Sequence, residues 1–287
     1  MYLSKRNEDF PENVKEKKKY HLEFSDEFEG EELNKTNWLP FYLPFCCPNG
    51  IVIPSYEIRK GNLALKITEE QVSWFSEFDG QIKGSSIQTG IYSEIKEEVT
   101  DLHTNEFVND MFSVNQFKNT YLPQYGFFEI RARMLITNSN IVSFRMRGYD
   151  GKEKISAEIY VFEIKGNSVK SNAAKIGHGI RKFHDQKIKE EFYESTVDID
   201  VSRFHCYAAE WDSKKITFYI DNKKIRQIDQ SPDYPMQLML GIFEFPVFEK
   251  DIIDRIYPKE LIVDYVRGYR QVDDFKENKK NETELKD

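Results

Sequence analysis

The chain is poor in the residues that supply covalent or metal scaffolding, with three cysteines and five histidines among 287 residues. Cys46 and Cys47 are adjacent, and neighbouring cysteines rarely reach disulfide geometry. With Cys206 they read as small, half-buried side chains rather than as a disulfide framework, metal ligands or nucleophiles. No Cys/His zinc spacing and no glycine-rich phosphate loop occurs. No apolar run approaches the roughly 18 residues that span a bilayer, and residues 1–20 lack the apolar core of a signal peptide. The expectation is a chain without a membrane span, either cytoplasmic or exported with its signal removed. Clustered positive charge is missing as well: the formal net charge is −8, and the basic run from Lys15 to Lys19 is balanced by Glu12 and Glu16. That argues against a nucleic-acid partner, since phosphate binding needs unopposed Lys and Arg. Helical periodicity is nearly absent, surfacing only weakly over Asp251 to Tyr257.

Aromatic residues are abundant, with 22 Phe and 16 Tyr, so a large core can form without disulfides. Residues 1–19 and 273–287 are rich in Lys, Glu and Asn and read as flexible tails around a single domain over 20–272. Within it the dominant pattern is a period of two. Phe128, Ile130, Ala132 and Met134 alternate with Glu129, Arg131 and Arg133, the mark of a strand with one buried face. Ile216, Phe218 and Ile220 repeat the pattern, and Asn222 suits a tight turn into a partner strand over Lys224 to Ile228. Asn62 to Ile67, Phe204 to Trp211, Gln237 to Phe243 and Leu261 to Tyr269 also read as strands. Many short strands punctuated by turns predict an all-β fold, a two-sheet antiparallel β-sandwich.

One strand-like segment, Ser156 to Ile164, places Glu158 and Glu163 among apolar residues. A carboxylate on a buried strand face is costly unless it is paired, hydrogen-bonded or open to a cleft. Residues five apart on a regular strand face opposite sides, so the two glutamates share a face only if one β-bulge lies between them. The spacing is then equivalent to four steps, about 13 Å between Cα atoms, and side chains leaning inward leave about 5 Å between carboxyl groups. That gap belongs to retaining glycosidases, in which one carboxylate attacks the sugar and the other protonates the leaving oxygen. The alternative is two solvent-facing glutamates on an edge strand.

The run Glu158-Ile159-Tyr160-Val161-Phe162-Glu163 resembles the E-I-D-x-x-E motif of glycoside hydrolase family 16, the laminarinase and lichenase group. Five further stretches are similar in the same order. Phe24 to Gly30 resembles F-x-D-E-F-x-G, and Gly61 to Leu65 resembles G-N-L-x-L. Tyr125 to Arg133 resembles Y-G-x-F-E-x-R-A-R, and Phe204 to Trp211 resembles F-H-x-Y-x-x-E-W. Val263 to Arg267 resembles the closing V-D-Y-V-R. The resemblance implies a concanavalin A-like jelly roll and retaining hydrolysis of internal bonds in a β-glycan, a β-1,3 or mixed-linkage glucan first. It implies Glu158 as nucleophile and Glu163 as general acid/base.

Two positions depart from the pattern. Tyr160 stands where the family has an aspartate that assists the nucleophile; a phenol can donate to Glu158 but is neutral at pH 7. Ile141 and Arg145 stand where W-P-A-F-W would place sugar-stacking tryptophans, so Arg145 either contacts an acidic or substituted glycan or pairs with a glutamate. Further candidate substrate contacts are His178, in Ile176-Gly177-His178-Gly179, which reads more readily as an ordinary loop histidine, and Trp74, beside Phe75 and Phe78, which is either an aromatic wall or a core edge. Glu244, another acid in an apolar run, ranks below the main pair. No cofactor is required for this chemistry, and the resemblance implies a structural calcium at Glu27, Gly61 and Asp264. The expected partner is a polysaccharide or oligosaccharide, and the expected assembly a monomer. A non-catalytic glycan-binding protein on the same scaffold is the second reading.

Overall fold

The computed structural model describes residues 8–40, 42, 54–73, 82–91, 118–148, 156–245 and 256–272. Sixteen strands occur in them: β1 (Tyr20–Asp26), β2 (Ser55–Arg59), β3 (Asn62–Ile67), β4 (Lys83–Gln88), β5 (Gly90–Ile91), β6 (Lys118–Asn119), β7 (Gly126–Leu135), β8 (Asn140–Gly148), β9 (Glu158–Lys170), β10 (Ala173–Arg181), β11 (Glu191–Val197), β12 (His205–Trp211), β13 (Ile216–Ile220), β14 (Lys223–Ile228), β15 (Met236–Glu244) and β16 (Lys259–Gln271). Among the described residues there is no α-helix. An eight-stranded sheet runs β14-β13-β12-β7-β16-β3-β2 with β1 also on β16, and a six-stranded sheet runs β11-β10-β9-β8-β15-β4. Every pairing in them is antiparallel.

The period-two segments fall where their patterns place them. Phe128, Ile130, Ala132 and Met134 of β7 are buried between the sheets with Tyr207, Ala209 and Trp211 of β12. The six-stranded sheet contributes Phe144, Met146, Ile159, Phe162, Leu238 and Leu240 to the same core. Asp221 and Asn222 carry φ values of 48° and 62° in the two-residue turn of the β13–β14 hairpin. Positive φ at both positions is the type I′ geometry, which matches the strand twist and which asparagine tolerates. The weak helical pattern at 251–257 lies mostly outside the described residues, as do Cys46, Cys47 and the 273–287 tail.

The N-terminal segment differs from its expectation. Residues 8–19 are not a loose tail but lie along the outer face of the eight-stranded sheet. Arg131 donates to the Phe10 carbonyl through Nε and Nη2 at 2.9 and 2.8 Å. Arg267 donates to the Asn13 carbonyl at 2.7 Å and Tyr269 to the Lys15 carbonyl at 3.0 Å. Beneath the segment Glu129 is fully buried and accepts from Asn13 Nδ2 at 2.7 Å, Lys17 Nζ at 3.3 Å and Tyr265 Oη at 3.2 Å. A segment held by its own carbonyls and by charge pairs has no apolar periodicity to show. Removing residues 1–19 strips Glu129 of two donors and Arg131 of its carbonyl, so urea unfolding should show a loss of about 3–5 kcal/mol; an unchanged midpoint would mean the segment is not integral to the fold.

Candidate active site

The site is built on the outer face of the six-stranded sheet, where strand register fixes every neighbour. On β8, Ser143 pairs with Glu163, Arg145 with Tyr160 and Arg147 with Glu158. Ser143 and Arg147 are four residues apart, whereas Glu163 and Glu158 are five apart, so β9 carries one extra residue. The irregularity falls where Phe144 meets Phe162 and the next residue, Arg145, meets Tyr160. The other neighbour reports the same, with Gly177 against Glu163 and Gly179 against Tyr160. The bulge is therefore at Val161, and Glu158, Tyr160 and Glu163 emerge on one face while Ile159, Phe162 and Ile164 enter the core.

Glu158 is 1% exposed, Tyr160 4%, and the Glu163 side chain 12%. Such burial on an outer face means that surrounding side chains build a recess. Three arginines contribute. Arg147 donates to Glu158 Oε1 at 3.2 Å, and Arg145 approaches Oε2 at 3.4 Å. Arg145 also donates to the Tyr160 hydroxyl at 2.8 Å and the Tyr42 hydroxyl at 2.9 Å. Arg181 reaches Glu163 at 3.4 Å and lies over the rings of Phe192, at 4.1 Å, and Tyr160, at 5.1 Å. Burial disfavours the charge of Arg145, yet the Glu158 carboxylate and the two phenols hold it firmly cationic. Burial, with Glu158 and Glu163 adding to it against Arg145, raises the Tyr160 phenol well above its ordinary value, so it stays protonated. Arg145 donates to the phenol oxygen, which leaves the phenolic proton uncommitted, while Glu158 Oε2 accepts no hydrogen bond.

Glycines make room for the wall of the recess. A Cβ at Gly177 would fall 2.6 Å from Phe192 Cζ, and one at Gly179, where φ is +137°, would fall 2.1 Å from the Glu191 carbonyl. Phe192 of β11 can therefore lean across β10 to meet Tyr160 edge-on at 5.4 Å. On the far side the Tyr42 ring lies 5.4 Å from that of Phe243.

The structure separates the remaining candidates from this face. His178 is fully buried and points between the sheets, its ring 5.4 Å from Phe218. It lies 3.1 Å from the Ile176 carbonyl through Nδ1 and accepts from Arg226 Nε through Nε2 at 3.3 Å, so it is a neutral core histidine and not a substrate contact. Alternation along β15 turns Glu244 to the inner side as well, where Lys259 at 3.0 Å and the Tyr257 hydroxyl at 3.0 Å hold it. Both were misplaced because one residue of register decides the face of a strand. Trp74, Phe75 and Phe78 lie outside the described residues. Arg147, Arg181, Phe192 and Tyr42 were not anticipated. Arg147 alone had a signal, two residues beyond Arg145 on a period-two strand.

The calcium trio does not fit its role. Glu27 is held by Arg267 at 2.8 and 3.0 Å and by Lys15 at 3.1 Å, Asp264 by Arg131 at 2.7 Å, and Gly61 forms the β2–β3 turn at φ +70°. Burial opposes the Glu27 charge, but Arg267 and Lys15 lower its pKa below the usual range. Cation partners already meet both acids, and among the described residues no three His, Cys, Asp or Glu side chains are grouped to hold an ion.

Two packed antiparallel sheets with a carboxylate pair on one outer face make a jelly-roll sandwich of the kind seen in glycoside hydrolases. The family match is direct: residues 86–245 match glycosyl hydrolases family 16, and the chain belongs to that family. No curated protein matches the sequence. Among solved structures, the chain is similar to the GlcNAcα1-4Gal releasing endo-β-galactosidase from Clostridium perfringens, with a TM-score of 0.77, 28% identity and coverage of 92% of this chain and 65% of that one. It thus spans just under two thirds of that protein. It is also similar to the laminarinase from Flavobacterium sp. UMI-01, at TM-score 0.60 and 18% identity, covering 87% of this chain and 100% of that one. The laminarinase catalytic domain from Thermotoga maritima MSB8 follows at TM-score 0.63 and 16% identity, covering 89% and 100%.

Buried His178 yields a pH prediction. Its pKa is lowered by burial from 6.5 to about 4, so the unfolded chain binds the extra proton between those values. Stability is then complete above pH 6.5 and falls as pH drops towards 4, by about 3 kcal/mol for this group. Urea denaturation of the wild type and His178→Gln at pH 7 and pH 4.5 should show a flatter dependence in the variant; parallel curves would remove His178 as the cause.

Proposed function

We propose that the protein is an endo-acting retaining β-glycosidase in which Glu158 is the nucleophile and Glu163 the general acid/base. The observation that carries this reading is the bulge at Val161, which sets both carboxylates on one recessed face at the spacing of four strand steps, about 13 Å between Cα atoms before the side chains lean together. In the first half-reaction a Glu158 oxygen attacks the anomeric carbon and the glycosidic C–O bond breaks, with the Glu163 proton passing to the leaving oxygen. In the second, Glu163 takes a proton from water, whose oxygen displaces Glu158 and restores both carboxyl groups. Arg147 and Arg145 hold Glu158 in position for attack, with the Tyr160 phenol beside it.

For substrate class, the endo-β-galactosidase likeness, at 28% identity, supports a β-galactosidic bond in a substituted glycan ahead of a plain β-1,3 or mixed-linkage glucan. The arginine at position 145, where sugar-stacking tryptophan would favour a plain glucan chain, supports the same order. Reducing-end release from a panel holding both classes decides it. Cleavage of laminarin or lichenan alone would reverse the assignment.

Glu158→Ala should abolish turnover, and azide should partly restore it with a product of inverted configuration, attacking from the vacated side. Unaltered turnover would remove Glu158 from the chemistry. Glu163→Ala should slow natural linkages far more than aryl glycosides with good leaving groups, and equal losses would count against a general acid.

Tyr160→Phe deletes one hydroxyl that Arg145 donates to and that faces Glu158. A loss in kcat of about tenfold is expected, from a hydrogen bond to a charged group of about 1.5 kcal/mol, together with a modest fall in Tm as Arg145 loses an acceptor. A drop in Tm without a drop in kcat would make the phenol structural.

A further inference from the structure

Beyond the arginines, β15 and β4 bring two glutamines to the same face. Gln237 pairs with Arg147, which pairs with Glu158, so one row reads Glu158, Arg147, Gln237 across three strands. In the next row Arg145 pairs with Met239, which pairs with Gln88. The two glutamines therefore sit diagonally about Met239. They are 0% and 1% exposed, and none of their four amide nitrogen and oxygen atoms has a hydrogen-bond partner. Nearby hydroxyls do find partners: Ser86 Oγ donates to the Leu240 carbonyl at 2.7 Å, and Thr89 Oγ1 accepts from the Leu238 amide at 2.9 Å.

Buried amides with no partner are rare, because each forfeits hydrogen bonds that water would have made. Two side by side call for a ligand. Packing does not demand their polarity, since leucine would fill much the same volume. The backbone also makes space for Gln237: a Cβ at residue 90 would fall 2.6 Å from its Oε1, and that residue is glycine. Each amide presents one acceptor and one two-proton donor, the complement of neighbouring hydroxyls on a pyranose ring. Met239 between them supplies an apolar surface for the ring's C–H face.

We propose that Gln88 and Gln237 form a subsite that binds the ring hydroxyls of an uncharged sugar unit next to the one cleaved beside Glu158. Gln237 stands two strand spacings, about 10 Å, and Gln88 three, about 14 Å, from the strand of Glu158 at the Cα level, on the side away from β10, so the pair lies along the face from the reacting bond. The proposal rests on the reading of Glu158 and Glu163 as the reacting pair.

The test uses the full chain carrying Glu158→Gln, titrated calorimetrically with β-linked galacto- and gluco-oligosaccharides from di- to tetrasaccharide. Adding Gln237→Leu or Gln88→Leu should weaken binding of the longer oligosaccharides by about tenfold or more while Tm stays level or rises, because no protein hydrogen bond is lost. A fall in Tm with affinity retained would make the amides structural and overturn the proposal. Affinity and Tm both unchanged would overturn it, as would the absence of binding by the Glu158→Gln protein to every oligosaccharide. Turnover of aryl glycosides by the wild type reports the reacting pair separately. Binding lost in the leucine variants of a protein that turns nothing over would keep the subsite and sink the hydrolase reading.

Discussion

The extra residue at Val161 is the constraint on which the site depends. In a regular strand Glu158 and Glu163 would face opposite ways, and one carboxylate would enter a core made of Phe144, Phe162 and Tyr207. An unpaired carboxylate there costs far more than a bulge, so the fold and the face are chosen together. The segment records this in its order of residues: outward Glu158, inward Ile159, outward Tyr160, two successive apolar residues, outward Glu163, inward Ile164. The doubled apolar step, Val161-Phe162, is where alternation slips by one. Both neighbouring strands register that slip at the same place.

Register also joins two departures from the family pattern that look independent in the sequence. Position 145 has Arg where the family carries a tryptophan, and position 160 has Tyr where it carries an aspartate; the two positions are direct partners across β8 and β9. Exchanging an anion for a neutral phenol on one strand and a neutral indole for a cation on the other moves the local charge by two units in the same direction. The Arg145 guanidinium then supplies Glu158 with the charge complement, at 3.4 Å, and fixes the phenol at 2.8 Å so that its proton can face the carboxylate. The two departures form a single cross-strand pair.

Much of this was legible because period-two patterning is a property of the strand itself. The sandwich, the β13–β14 hairpin and the bulge could be read from alternation, a turn asparagine and the spacing of two acids. What could not be read depends on which strands become neighbours. Arg181 meets the carboxylate pair only because β10 lies beside β9, and Phe192 only because glycines at 177 and 179 let its ring cross an intervening strand. His178 and Glu244 failed for a related reason: each lies on a strand whose face is set by one residue of register, and each turned inward to a partner, Arg226 or Lys259, that is remote in sequence. The segment over residues 8–19 escaped notice because backbone carbonyls, which every sequence has, make much of its attachment.

The same register sets aromatic surface on both flanks of β8, a strand without tryptophan. With Arg145 occupying that strand's outer face, the aromatic surface moves outward to its flanks: Phe192 and Tyr160 on one side, Tyr42 and Phe243 on the other. Arg181 lies over the Phe192 ring and also meets Glu163, so the flanking aromatic is tied to one carboxylate as Arg145 ties the phenol to the other. Each acid thus shares a guanidinium with an aromatic neighbour. A glycan that displaced either ring would also disturb the charge beside the acid, which links the shape of the bound sugar to the electrostatics of the pair. A plain stacking platform lacks that coupling.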